Sequence, residues 1–239
     1  MGTRDPTGDR DYPRYVGEAI GQTLPLAVAV AISPIGIIAS VLMLTSGRGG
    51  GNGIAFLIGW FAGLAIFVGA MILLGRGAGA SSGGEPAEWT SYAKIVLGLL
   101  LLVVAHRQRT KDRSVDGDPP KWMAKVDSLN PLRALALGAG LGAINPKNLV
   151  LNLGAAAAIA QTGTDGADEL SALLAYSLIA SLGAAIPVAI YYFAGERAAG
   201  MLNRLKDSMS RNNGVIMAVI CVVIAAKLIG DGITTLSLF

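Results

Sequence analysis

Residues 143–158 read AINPKNLVLNLGAAAA, and four neighbours, Asn145, Pro146, Lys147 and Asn148, interrupt an apolar run that extends from Leu132 to Ala160. Proline has no backbone N–H, and its ring clashes one turn back, so a carbonyl near Leu141 and Gly142 loses its helical partner. In hydrocarbon an unpaired carbonyl costs several kcal/mol, so it must meet another helix, a water or a ligand. Asn145 is placed to cap the half-helix that follows. The first turn of that half-helix presents free N–H groups and the positive end of a dipole. Lys147 adds a full charge. Together these groups describe a site for an anionic head group, whether phosphate, sulfate or carboxylate. The plainer reading is that Lys147 snorkels to an interface and the asparagines hold helices together; the residues alone leave both open.

The rest of the chain says what surrounds this break. Of 239 residues, 53% are hydrophobic and only 15% charged, against about 25% charged in soluble domains. Mean hydropathy is positive. These values indicate an integral membrane protein. A formal net charge of +3 argues against nucleic acid as a partner. A single cysteine, Cys221, and a single histidine, His106, exclude a disulfide framework and a thiolate metal site, and predict no metal and no cofactor. Thirty-two glycines suit closely packed membrane helices.

Six apolar spans can be counted: about Val16–Thr45, Ile54–Leu74, Trp89–Ala105, Leu132–Ala160, Leu170–Ala194 and Gly214 to about Leu236. The first and fourth are overlong, and each is broken by proline, at Ser33-Pro34 and at Asn145-Pro146. The two prolines lie 112 residues apart, close to half the chain. Each half is therefore a broken helix followed by two ordinary ones. Three spans per half require the second copy to be inverted, and interrupted helices at matching places of inverted halves point to a transport site near the midplane. The expected fold is all-α, with six transmembrane helices in two inverted three-helix repeats. The expected divisions are a polar disordered tail (1–15), a first repeat (16–105), a basic cytoplasmic loop (106–131) and a second repeat (132–239).

Lys and Arg set the orientation. Arg48, Arg107, Arg109, Lys111, Arg113, Lys121, Lys125, Arg197, Arg204, Lys206 and Arg211 fall in loops on one side, eleven in all. The other side has four: Arg4, Arg10, Arg14 and Arg76. The positive-inside rule places the eleven in the cytoplasm and both termini outside, in the cell (plasma or inner) membrane.

In the first half, Ser33 beside Pro34 is expected to cap as Asn145 does, but Ile35-Gly36 replaces the Lys-Asn pair. The candidate substrate site is thus Asn145, Pro146, Lys147 and Asn148, opposed by Ser33 and Pro34. Lys227 and Asp231 are four residues apart in the last span, on one helix face and able to pair. Charges at membrane depth usually face an interior and have partners. The pair reads equally as a proton relay, a switched ion pair or a static bridge. The stretch around Trp122 and Met123 reads as a surface-lying segment or an ordinary loop. The glycine-rich GRGGGNG lacks the Gly-Lys-Ser/Thr ending of a phosphate loop. With no paired carboxylates, histidine cluster or activated nucleophile, the chain is read as a non-enzyme.

ISPIGIIASVLMLTS, PPKWMAKVDSLNPLRALALGAGLGAINPKNLVLNLGAAAAIA and KLIGDGI carry a resemblance over essentially residues 20–235. The chain resembles the peptidoglycolipid-addressing proteins, also called sulfolipid-1-addressing proteins, of the lysine-exporter superfamily of six-span secondary transporters. The resemblance implies export of an amphipathic, anionic lipid, glycolipid or lipopeptide to the cell envelope by alternating access, without naming the cargo. Two alternatives stand beside it. One is an exporter of amino acids or other small solutes. The other is a non-transporting membrane scaffold for envelope-lipid assembly. A homo-oligomer or an envelope-lipid synthesis partner is compatible with either.

Overall fold

The structure is a computed structural model that describes residues 12–79, 81–82, 85–86, 88–111, 129–162 and 166–236. In chain order it contains α1 (Tyr12–Ala31), α2 (Pro34–Thr45), α3 (Gly49–Gly77), β1 (Ser81–Ser82), β2 (Glu85–Pro86), α4 (Glu88–Lys111), α5 (Pro131–Ile144), α6 (Pro146–Gln161), α7 (Gly166–Phe193), a 3-10 turn (Gly195–Arg197) and α8 (Ala198–Leu236). The two short strands pair antiparallel between α3 and α4. The rest of the described residues are helix, turn or cap, as expected for an all-α membrane chain.

The helices meet the length a bilayer demands. Gly49–Gly77, Glu88–Arg107, Gly166–Phe193 and Gly195–Leu236 are each long and apolar enough to cross, and the pair Ala19–Ala31 and Pro34–Thr45, bent by 52°, passes the same test together. The chain is therefore a multi-pass membrane protein. Its second proline-broken segment divides into α5 and α6, of 14 and 16 residues, each short of the roughly 20 residues of a full span. Large apolar side chains face outward along the bundle, among them Ile58, Ile66, Leu73, Leu178, Leu182 and Val223. In water such a surface would be a liability; against lipid tails it is the ordinary exterior.

Small residues set the spacing of the helices. Gly59 and Gly63 of α3 lie against α5, where an added Cβ would come 2.0 Å from the Leu135 carbonyl oxygen and 2.5 Å from that of Ala139. In return, Gly138 of α5 sits where a Cβ would lie 2.2 Å from the Phe56 carbonyl oxygen. Two GxxxG spacings thus interlock backbone to backbone. Rising residue numbers match along both helices, so α3 and α5 run parallel. Trp60 meets Ala180 and Gly69 meets Leu173, so α3 and α7 run antiparallel. Gly98 meets Ala225 and Ile229 while Gly232 meets Ser91 and Ile95, so α4 and α8 are antiparallel too. The core between them includes Phe56, Trp60, Leu64, Leu151, Tyr176 and Ile224.

Several expected boundaries shift. α1 starts at Tyr12, within the stretch read as a tail, and α4 continues to Lys111, within the stretch read as a loop. The tail before Tyr12, and Trp122 and Met123, lie outside the described residues. GERAAGMLNRLKDSMSRNN, expected to separate two spans, is mostly the start of α8. Its Ala, Met, Leu, Arg and Lys residues are good helix formers with no proline among them. At about 1.5 Å per residue α8 is about 58 Å long, far more than the roughly 30 Å of hydrocarbon. Its charged first part therefore projects beyond the membrane. Gly195, with φ +54°, makes the left-handed turn that separates α7 from this projection.

Candidate functional site

The two proline breaks meet inside the bundle, and the meeting is made of polar groups. α5 ends at Ile144 because Pro146 has no N–H to offer and Asn145 leaves helical geometry, at φ −57° and ψ 132°. The Asn145 side chain accepts from the Lys147 N–H at 3.3 Å, and its carbonyl takes the Leu149 N–H at 2.7 Å. This is the expected cap. Pro146 itself is on the exposed face of the break, whereas Lys147 and Asn148 point inward and are buried.

The carbonyls left over at the end of α5 are taken by side chains of α6. Asn148 donates to Leu141 O at 3.1 Å, and Asn152 donates to both Gly142 O and Ala143 O, each at 3.1 Å. Tyr176 of α7 then donates its hydroxyl to the Asn152 Oδ1 at 2.8 Å. Asn152 and Tyr176 are fully buried. Sequence reasoning located the carbonyls but missed these partners. The signal was present: Asn152 stands one turn beyond Asn148, an amide in an otherwise apolar helix. The Asn148 Oδ1 is buried without a hydrogen-bond partner.

The first break is built differently. Ile32 N–H bonds back to Val28 O at 2.9 Å, but Ser33 N–H turns to Val30 O, at 3.1 Å, the acceptor that Pro34 cannot serve. Ala29 O thereby loses the donor that a continuous helix would supply. Ser33 makes no side-chain cap to α2, contrary to the expectation drawn from Asn145. The open carbonyl is served from the other half of the chain: Lys147 Nζ donates to Ala29 O at 2.7 Å. Lys147 is 1% exposed, and among the described residues no carboxylate lies within ion-pair distance of it. Ser33 and Pro34 are buried beside this crossing, so the structure brings Asn145, Lys147, Asn148, Ser33 and Pro34 to one region.

Lys227 and Asp231 form the expected ion pair on one face of α8. They line a polar cavity of about 270 Å³ with Lys94. Lys94 was overlooked in the sequence, although it is a lysine within the third apolar span. On a separate face, α3, α4 and α6 form an open apolar groove of about 400 Å³, lined by Met71, Leu74, Trp89, Val96, Leu97 and Leu153 among others.

No curated protein and no solved structure matches the chain. A family model does, over residues 23–234, which include both breaks, the Lys147 crossing and the Lys227–Asp231 pair, and the chain belongs to that family: Sap, the sulfolipid-1-addressing proteins.

Proposed function

We propose that the chain is a secondary transporter that exports an amphipathic, anionic lipid across the cell membrane by alternating access. The observation that carries this reading is the Lys147–Ala29 contact. It ties the break of one half to the break of the other with a buried cation that, among the described residues, has no carboxylate beside it. A charge at such depth is expensive unless an opposite charge or strong dipole attends it. A cargo head group supplies that charge, and accepting it requires the ammonium to leave Ala29 O. Binding of the head would thus loosen α1 from α6, coupling occupancy to movement of one half against the other. Asn145 and Asn148 flank Lys147 in the chain, and its ammonium reaches the break formed by Ser33 and Pro34.

Packing supports six spans in two inverted repeats. Exchanging the halves maps α1, α2, α3 and α4 onto α5, α6, α7 and α8. Under that exchange α3 on α5 becomes α7 on α1, α3 on α6 becomes α7 on α2, and α4 on α6 becomes α8 on α2; all six packings occur. The pairs α3–α7 and α4–α8 map onto themselves and are antiparallel, as inversion requires. The excess of Lys and Arg at one end of the spans favours a cytoplasmic position for the α2–α3 and α7–α8 ends, with both termini outside. The apolar groove favours a cargo with acyl chains over a free amino acid.

Mass spectrometry of lipids retained by the purified protein tests the reading. An anionic amphiphile should be enriched over its share of the host membrane, and Lys147→Gln should retain less of it. Retention that mirrors bulk membrane composition in both proteins would favour a scaffold.

A further inference from the structure

The polar cavity at the end of the bundle opposite the basic loops has a composition that the Lys227–Asp231 pair does not explain. Six side chains line it: Gln22 of α1, Lys94 of α4, and Lys227, Asp231, Thr234 and Thr235 of α8. Close packing brings them to one level. Gly232 lets the α8 backbone lie against Ser91, where a Cβ would come 2.8 Å from the Ser91 carbonyl oxygen. That approach sets Lys94 opposite Asp231. The Asp231 carboxylate is already bridged by Lys227. Burial weighs most on the Lys94 ammonium, Asp231 attracts it and Lys227 repels it; among the described residues it makes no hydrogen bond or ion pair of its own. It is only 7% exposed.

Among the described residues, two ammonium groups and one carboxylate line this open cavity and leave one positive charge uncompensated. Lys94 offers three donors; the Thr234 and Thr235 hydroxyls at the rim already donate to the Gly230 and Asp231 backbone carbonyls, so the ammonium groups supply the donors for an anion. We propose that this cavity is a binding site for a single oxyanion group, a phosphate, sulfate or carboxylate, held chiefly by Lys94 and Lys227 with Asp231 limiting the site to one negative charge. At about 270 Å³ the cavity is just below the roughly 300–1,000 Å³ of small-molecule sites. It therefore takes a head group and not a whole lipid. The site stands on its own geometry; it rests on the export reading only for its role, which is to receive the cargo head on the outer side after it leaves Lys147.

Two measurements test it. In nanodiscs of neutral phosphatidylcholine, sodium sulfate should raise the thermal stability of the protein over equal ionic strength of sodium chloride. Nanodiscs containing phosphatidylglycerol should do so without sulfate if the anion is a lipid head. Either shift supports the site and identifies the source, and Lys94→Gln should weaken the response at least about tenfold in anion concentration. Lys147→Gln separates the two sites: whatever part of the response it removes, a part should remain that Lys94→Gln abolishes. The second measurement keeps Lys94 intact. A cysteine at Thr235 in a Cys221→Ser background should react several-fold faster with an anionic than with a cationic thiosulfonate reagent, and added sulfate should slow the reaction. Absence of any anion-specific shift, a response unchanged in Lys94→Gln, or faster labelling by the cationic reagent would overturn the proposal.

Discussion

Lys147 and Ala29, 118 residues apart, are joined by a 2.7 Å hydrogen bond from the ammonium to the carbonyl that the first proline break leaves open. A helix break in one half is thus completed by a side chain from the break in the other. The arrangement explains how a chain this apolar tolerates two proline interruptions. Each loses helical hydrogen bonds; α6 serves the α5 carbonyls and Ala29 O, and the Ser33 N–H serves Val30 O.

Asn152 should matter more to stability than any residue singled out in the sequence. Asn152→Ala strips the partner from Gly142 O, Ala143 O and the Tyr176 hydroxyl, and each buried group left unpaired costs about 1–3 kcal/mol. Tyr176→Phe leaves one buried acceptor, the Asn152 Oδ1, unpaired, a single loss of about 1–3 kcal/mol. Thermal denaturation in detergent should rank Asn152→Ala well below Tyr176→Phe. The reverse order would mean that the α5 carbonyls do not depend on Asn152.

The glycine seam makes an equally direct prediction. Gly59→Ala sets a methyl 2.0 Å from a backbone oxygen, whereas a Cβ at Gly140 meets nothing within 4 Å. Gly59→Ala should therefore lose several kcal/mol or fail to fold. Gly140→Ala should be neutral or gain about 0.4–1 kcal/mol through a less flexible unfolded chain. Size-exclusion profiles and melting curves of the two variants check this; equal behaviour would contradict the α3–α5 packing.

Orientation can be read at the two ends of α3. Gly47 and Gly77 are exposed, with open space where a side chain would go. Cysteines at these positions, in Cys221→Ser protein, should differ in intact cells: an impermeant thiol reagent labels position 77 and spares position 47. The opposite pattern would invert the topology.

At the outer cavity, Asp231 is the carboxylate that both Lys94 and Lys227 face. Asp231→Asn leaves the two lysines repelling each other, so it should destabilise more than Lys227→Gln does. Adding Lys94→Gln to Asp231→Asn should recover part of the loss, because neighbouring charges are not additive. Losses that simply add would show that Lys94 and Asp231 are uncoupled.

The proline breaks, the Asn145 cap and the Lys227–Asp231 pair were legible because each depends on residues within one turn of helix. Pro34 and Pro146 announce missing N–H groups, and a spacing of four fixes a shared face. The Lys147–Ala29 and Tyr176–Asn152 bonds were not legible, since they join groups that only tertiary packing brings together. Ser33 misled for a related reason: it matches Asn145 in sequence position, but its shorter side chain forms no cap. Its backbone N–H repairs the break by turning to Val30 instead. The helical start of α8 was hidden by its charges, which suggest a loop within a membrane chain yet suit a helix standing in water.

The account turns on Lys147, and the most direct measurement is the rate at which the lipid enriched on the purified protein reaches the outer envelope of cells. Wild type, Lys147→Arg and Lys147→Gln should be compared at equal levels of folded, membrane-inserted protein. The account predicts that Lys147→Gln leaves the lipid in the inner membrane, while Lys147→Arg retains part of the rate, since the charge remains but the guanidinium is larger and differently hydrated. Export by Lys147→Gln at the wild-type rate would contradict it, and would reduce the lysine to a fastening between two broken helices.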